Sequence, residues 1–266
     1  MKVAVMGAGR LGEALLSGML RAGVVPSDAA VVVRRPERGA ALAERYAVSV
    51  LTTAEAADFA DVLLVTVKPQ DVEAAVNELA AAGRLPLIVS AVAGVPTAYF
   101  ESRLPAGTSV VRVMTNTPVL VDEAMTVASA GAHATAEDLD RTGSLFSAVG
   151  RFMVLPEKQQ DAVTALSGSG PAYFFYLVEA MTDAGILLGL PRAVAAELLV
   201  QTALGAAIML RDSGEHPVQL RESVTSPAGT TISAIRELEN HGVRAALLAA
   251  IEAARDRSQA LGRGLG

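Results

Sequence analysis

The chain has no cysteine and no tryptophan. Without cysteine there is no disulfide, no thiol nucleophile and no thiolate metal site. Its histidines, His133, His216 and His241, are scattered and make no zinc constellation, so no metal is expected. Lysine occurs only at positions 2, 68 and 158, which leaves arginine as the ordinary cation. Aromatic residues make up 4% of the 266, so the core must be built from Ala, Val, Leu and Ile. Basic excess is also lacking. The formal net charge is −6, whereas nucleic-acid binding needs a basic face. No run of like charge marks a tail. Met1-Lys2 leads into a short apolar run that stops at a glycine loop, which is not a signal peptide. The most apolar stretches, Pro171 to Leu190 and Ala193 to Leu210, carry Glu179, Asp183 and Glu197 inside them. Interior charge and high alanine content suit buried helices better than membrane spans. A soluble, cytoplasmic protein without nucleic-acid or membrane partners is expected.

What is present begins with Val3-Ala4-Val5-Met6, a short buried strand. Gly7-Ala8-Gly9-Arg10-Leu11-Gly12 follows at once, then a helix to about Arg21 with Leu11, Leu15, Met19 and Leu20 in its apolar pattern. Strand, glycine loop and helix in this order form a dinucleotide-binding unit. Gly7 makes the turn, Gly9 admits a pyrophosphate to the backbone, and Gly12 lets the helix lie close to the strand. A second strand, Ala30 to Val33, ends in Arg34-Arg35-Pro36. An acid at this place would bind a ribose 2′-hydroxyl; two cations suit a 2′-phosphate, so NADP is favoured over NAD.

Strands and helices then alternate. Strands are predicted at Asp61 to Val65, Leu87 to Ser90 and Val110 to Met114, with helices at Pro36 to Tyr46, Asp71 to Ala82 and Pro96 to Leu104. This spacing implies a parallel sheet covered on both faces. Ligands in such sheets sit beyond the carboxyl ends of the strands, where Lys68 and Asn116-Thr117 lie. Met125 to Ala128 and Phe152 to Leu155 read as further strands around a helix from about Ala136 to Val149, and Pro156 marks a boundary.

After Pro156 the strand signal stops. Helices are predicted from Gln160, from Pro171 to about Leu188, from Pro191 to about Asp212, over Val218 to Val224, after Gly229 to about Glu239, and from Val243 to Leu261. Ala195, Leu198, Leu199, Ala203, Leu204, Ala207 and Ile208 wrap much of one helix, more than a small monomer can bury, so a subunit interface is expected. His216 before Pro217 reads as a loop residue rather than a base.

The stretch Val224-Thr225-Ser226-Pro227-Ala228-Gly229-Thr230-Thr231-Ile232 opens one of these helices. Ile232, Ile235 and Leu238 recur at helical spacing, which predicts one buried face. Free N–H groups of Gly229, Thr230 and Thr231, with the positive end of the helix dipole behind them, make a site for a small anion, most simply a carboxylate. The hydroxyls of Ser226, Thr230 and Thr231 add directed donors. The competing reading is that Ser226 or Thr230 merely caps the helix.

Together, Gly7 to Gly12, Val67-Lys68-Pro69, Met114-Thr115-Asn116-Thr117-Pro118, Leu166 to Tyr173 and Thr225 to Thr231 resemble the pyrroline-5-carboxylate reductases along essentially the whole chain. The resemblance implies an α/β fold: an N-terminal Rossmann-type dinucleotide-binding domain, residues 1–156, followed by an all-helical dimerisation and substrate-binding domain, residues 157–266. It implies reduction of 1-pyrroline-5-carboxylate to L-proline with NADPH, NADH being possible, as the last step of proline biosynthesis. The partner implied is a second copy of the chain, in a homodimer and a higher homo-oligomer such as a decamer. The cofactor is expected at Gly7, Ala8, Gly9, Arg10, Leu11 and Gly12, at Arg34 and Arg35, at Thr53, at Thr66, Val67, Lys68 and Pro69, and at Ala91, Val92 and Ala93. The substrate is expected at Ser226, Gly229, Thr230 and Thr231, with a lesser contact at Glu157. Three positions depart from the family pattern: Ala228 replaces a second glycine, Thr53 replaces an asparagine near the adenosine end of the cofactor, and Arg10 replaces Asn or Gln.

A cyclic imine bearing a carboxylate suits these residues. An iminium already draws hydride, so the protein chiefly holds carbon against nicotinamide, and Thr231, the expected catalytic residue, orients the nitrogen. Two other readings stay open: a different two-domain NADP-dependent imine or β-hydroxy-acid dehydrogenase, and a non-catalytic NADP sensor.

Overall fold

A computed structural model describes residues 1–263. The chain forms two compact units, Met1–Ser169 with the residues from Ala254 onward, and Gly170–Ala253. The division therefore falls after the boundary expected at Pro156, and the end of the last helix returns to the first unit.

The strands of the first unit are β1 (Val3–Met6), β2 (Ala29–Val32), β3 (Ser49–Val50), β4 (Val62–Val65), β5 (Leu87–Ser90), β6 (Val110–Met114), β7 (Ala124–Ala130) and β8 (Gly150–Val154). Its helices are α1 (Arg10–Arg21), α2 (Pro36–Tyr46), α3 (Thr53–Phe59), α4 (Val72–Ala81), α5 (Thr97–Glu101), α6 (Ala136–Ser147) and the short α7 (Gln160–Val163). The sheet order is β3-β2-β1-β4-β5-β6-β7-β8. Strands β1 to β6 run parallel. Residues β1, β2, β4, β5 and β6 are buried throughout, as their continuous apolar runs require in a sheet covered on both faces. The pleat divides them. Val3 and Val5 join Leu15, Leu16, Met19 and Phe146 in one core, while Ala4 and Met6 join Val76, Leu79 and Phe100 in the other.

The sheet is not parallel to its edge. β7 runs antiparallel to β6, and β8 parallel to β7. The link Thr115 to Glu123 is shorter than the roughly twelve residues that a parallel crossover needs. The edge strand β3 and helix α3 are also absent from the sequence reading.

The second unit holds α8 (Gly170–Leu187), α9 (Arg192–Asp212), α10 (Pro217–Ser223), α11 (Thr230–Asn240) and most of α12 (Val243–Arg263). Helices α8 and α9 cross closely, since a Cβ on Gly185 would lie 2.7 Å from the Cβ of Ala195. The expectation of buried helices is corrected for the single chain. Phe174, Phe175, Tyr176, Leu187, Leu198 and Leu204 are exposed. The predicted buried face of α11 is also open: Ile232 is 43% and Leu238 50% exposed. The unit has too few layers to cover these faces by itself. By length and composition α9 alone, among the described residues, could cross a membrane.

Helix α1, which carries the glycine loop, is seated by Gly18. A Cβ there would lie 2.1 Å from Cγ1 of Val149. Helix propensity favours alanine over glycine by about 1 kcal/mol, but overpacking in a filled core costs about 1–3 kcal/mol. The clash wins: Gly18→Ala is expected to lower the melting temperature, measured by circular dichroism, against the propensity trend.

Candidate active site

The glycine loop is shaped from below. Gly7 has φ +83°, and Gly9 N–H donates to its carbonyl at 2.6 Å. The Thr66 hydroxyl lies 3.1 Å from the Met6 carbonyl and 3.0 Å from that of Gly7. A Cβ on Gly7 would meet Val67 Cγ1 at 2.6 Å, and one on Gly12 would meet Thr66 Oγ1 at 2.5 Å. Thr66 and Val67 are thus the floor of the loop. Above it the space is free: a Cβ on Gly9 would approach only the Gly7 carbonyl, at 3.8 Å. Gly9 is also the N-cap of α1, and no side chain caps that helix. The amides of Arg10, Leu11 and Gly12 therefore open onto a cradle without a Cβ, which fits a dinucleotide pyrophosphate.

The remaining expected cofactor residues gather at the carboxyl ends of β2, β4 and β5. Arg34 and Arg35 are exposed beyond β2, and Arg34 pairs with Asp71 at 2.8 Å. Lys68 is exposed beyond β4, and Pro69 opens the turn Pro69–Asp71 after it. Ala91 and Ala93 are half-buried beyond β5, while Val92 faces inward at 1% exposure. Thr53 is corrected as a side-chain contact: it is buried, and its hydroxyl proton is already donated to Glu78 at 2.6 Å. Asn116 is occupied as well, donating to the Ser167 carbonyl at 3.0 Å and accepting from Met125 N–H at 3.0 Å.

The sequence reading missed Arg38. Its guanidinium donates to the Ala8 carbonyl from Nε at 3.1 Å and from Nη2 at 3.0 Å. It also pairs with Glu13, which accepts from Arg45 at 3.1 Å and from the Tyr46 hydroxyl at 3.0 Å. Glu13 thereby ties α2 to the first turn of α1. The Arg38 hydrogen bond, more than offsetting burial, holds the Glu13 carboxyl below the ordinary value, with Tyr46 and Arg45 assisting. The available signal was a further arginine, Arg38, in the first turn of the helix that follows Arg34-Arg35.

In the second unit, α11 begins at Thr230 with Gly229 as its N-cap and no side-chain cap. Simple capping by Ser226 or Thr230 is therefore not what these hydroxyls do. Gly229 N–H is corrected from the expected free donor: it donates to the Ser226 carbonyl at 3.1 Å. What Gly229 contributes is a missing side chain, since a Cβ there would lie 2.5 Å from Ser226 Oγ. The amides of Thr230 and Thr231 remain as first-turn donors, beside the Ser226, Thr230 and Thr231 hydroxyls on an open surface. Ala228 sits at φ +54°, a left-handed conformation unfavourable to any residue with a Cβ.

Glu157 lies in the first unit and is already engaged. Its carboxylate accepts from Thr97 N–H and Thr97 Oγ1, each at 2.8 Å, and pairs with Arg112 at 3.3 Å.

Comparison with known proteins covers both units. A family model described as pyrroline-5-carboxylate reductase dimerisation matches residues 157–261. Another, described as NADP oxidoreductase coenzyme F420-dependent, matches residues 2–94. The chain is 45% identical to a pyrroline-5-carboxylate reductase of Mycobacterium tuberculosis, over 98% of this chain and 96% of the relative. It is 41% identical to one of Arabidopsis thaliana, over 98% and 95% respectively. The solved pyrroline-5-carboxylate reductase of Coxiella burnetii superposes with a TM-score of 0.91 at 32% identity, covering 98% of each chain. That of Plasmodium falciparum, solved with NADP bound, gives 0.89 at 27% identity, again over 98% of each.

Two expectations follow from the geometry. Glu13 has a folded pKa below the ordinary 4.5, so its stabilising contribution is complete above that value and is lost as pH falls through the lowered one. Glu13→Gln should destabilise by about 1 kcal/mol at pH 7, and its melting temperature should converge with the wild type's in acid. Ala228→Gly should raise stability by about 0.5 kcal/mol in denaturant titration, because relief of left-handed strain exceeds the added freedom of the unfolded glycine.

Proposed function

Because the chain belongs to the pyrroline-5-carboxylate reductase family, we infer that it reduces 1-pyrroline-5-carboxylate to L-proline with NAD(P)H, the last step of proline biosynthesis. One observation carries the reading: the matched segments 2–94 and 157–261 take in both the glycine loop and the Ser226–Thr231 stretch.

The chemistry that the nicotinamide cofactor supplies when bound is hydride for the C=N carbon of the substrate. The rest falls to the chain. The α1 amides and the bare backbone of Gly9 receive the pyrophosphate, with Ala8, Arg10 and Leu11 around it and Gly7 and Gly12 giving the turn its shape. Arg34 and Arg35 meet the adenosine end, and their charge favours the 2′-phosphate of NADPH over NADH. Thr66 and Val67 support the loop from below, while Lys68 and Pro69 border the cofactor beyond β4. Ala91 and Ala93 line the other half of the cofactor beyond β5, and Val92 anchors that loop in the core.

The substrate carboxylate is held by the amides of Thr230 and Thr231 and by the Ser226 and Thr230 hydroxyls, with the α11 dipole behind them. Gly229 gives Ser226 room to lie over the helix start. The Thr231 hydroxyl orients the imine nitrogen, so that hydride approaches a fixed carbon. No strong acid is required, because a protonated imine already carries the charge that hydride neutralises.

The chain works as a homo-oligomer. A second copy covers the exposed faces of α8, α9 and α11, which explains an apolar surface larger than a soluble monomer keeps. The finer reading is a dimer assembled further, as in a decamer, in the cytoplasm.

A spectrophotometric assay with 1-pyrroline-5-carboxylate should show NADPH oxidation, faster than NADH oxidation at equal concentration. A cofactor-binding protein inert toward every cyclic imine would overturn the reading. Thr231→Ala should lower kcat by about tenfold or more while leaving the melting temperature unchanged. A folded variant with wild-type kinetics would remove Thr231 from the mechanism.

A further inference from the structure

The segment Ala91–Val95 leaves β5 after Ser90 and ends where Thr97 opens α5. With the pyrophosphate above α1 and the adenosine end beyond β2, the other half of a dinucleotide extends over β4 and β5. That half meets this loop, so the loop's rigidity matters to where the reacting carbon sits.

The loop is braced at its far end by a carboxylate. Thr97 donates its N–H to Glu157 Oε1 and its hydroxyl to Oε2, each at 2.8 Å. Glu157 is fixed in turn by Arg112 Nη1, 3.3 Å from Oε1. The Arg112 side chain is only 6% exposed, and its Nε and Nη2 have no hydrogen-bond partner. A buried guanidinium needs its counter-charge nearby, and Glu157 is the ion-pair partner the structure gives it. With both oxygens engaged, Glu157 is poorly suited to reach a substrate.

A second brace meets the loop at Gly94. A Cβ on Gly94 would lie 3.3 Å from Leu261 Cβ, and one on Gly262 would lie 2.9 Å from the Gly94 carbonyl. The end of α12 therefore rests directly on the loop backbone. It is held there by Ser258, whose hydroxyl donates to Asp161 at 2.7 Å.

We propose that Glu157 is a positioning residue for the cofactor loop Ala91–Val95, anchored by Arg112 and acting through Thr97, with the end of α12 as a second stop. The proposal rests on the reading that this loop meets the nicotinamide half of the cofactor. It replaces the expected substrate contact at Glu157 with an indirect role in cofactor binding.

Thr97→Val tests it in the full-length oligomer, because valine keeps the N–H bond and the shape but removes the hydroxyl bond. Binding is read by titrating NADPH fluorescence, and steady-state kinetics give both KM values. The Kd and KM for NADPH should rise about fivefold to tenfold, the loss expected for one hydrogen bond to a charged acceptor. The KM for the imine should stay within about twofold, the melting temperature should fall by no more than about 6 °C, and Thr97→Ser should restore NADPH affinity. Unchanged NADPH affinity in a folded Thr97→Val, or a rise in the imine KM alone, overturns the proposal. If Thr97→Val does not fold, Gly262→Ala decides from the other brace: weaker NADPH binding supports the proposal, and wild-type binding overturns it. Failure of the wild type to bind NADPH would instead sink the functional reading itself.

Discussion

Helices α1 and α11 start on a glycine N-cap and have no side-chain cap. Three other helix starts are closed by a side chain. Thr52 and Glu55 form a capping box on α3, Thr135 and Asp138 on α6, and His216 and Gln219 on α10. Helices α1 and α11 have Gly9 and Gly229 at the same place, without a cap hydrogen bond. With glycine at the N-cap, each missing side-chain cap costs only about a few tenths of a kcal/mol. A glycine N-cap puts no side chain over the first-turn amides, so at α1 and α11 those amides can meet a group that arrives from outside. At α1 the Cβ-free space above Gly9 suits a pyrophosphate; at α11 the surrounding hydroxyls suit a carboxylate.

The two units are stabilised differently. The first unit fills both faces of its sheet with short aliphatic side chains and fastens α2 to α1 through Glu13, Arg38, Arg45 and Tyr46. Scarcity of aromatics is no handicap there, because continuous valine-rich strands pack well between helices. The second unit leaves large apolar side chains exposed and one left-handed alanine under strain. Its stability is tied to assembly, so protomer concentration enters its folding equilibrium.

The α/β character of the first half was legible because each strand is a short apolar run ending in polar or small residues, and each helix keeps its period. The helical second half was legible from its Gly and Pro punctuation. Helix α3 was missed although Thr52 and Glu55 spell a capping box, since attention to strand spacing passed over a seven-residue helix. The direction of β7 depends on loop length, which periodicity ignores. At the site, spacing identified residue types but not their existing partners. Thr53 is taken by Glu78, Gly229 N–H by Ser226, and Asn116 by Ser167 and Met125. Arg38 escaped because its role is to hold a carbonyl of the glycine loop, a contact between residues thirty apart that only the fold creates.

The pair of buried Arg112 and half-buried Glu157 shows the same lesson from the energetic side. A well-packed apolar pair at those positions would serve stability as well or better, because both ions lose hydration on burial. An apolar pair could not accept the Thr97 N–H and hydroxyl, and so could not fix where α5 begins. The charge at 112 makes the charge at 157 obligatory, and the charge at 157 makes the start of α5 obligatory. Glu157 and the Leu261–Gly262 end of α12 both come from chain beyond Pro156, yet both act within the first unit. The Ala91–Val95 loop therefore rests on residues that lie beyond Pro156 in sequence.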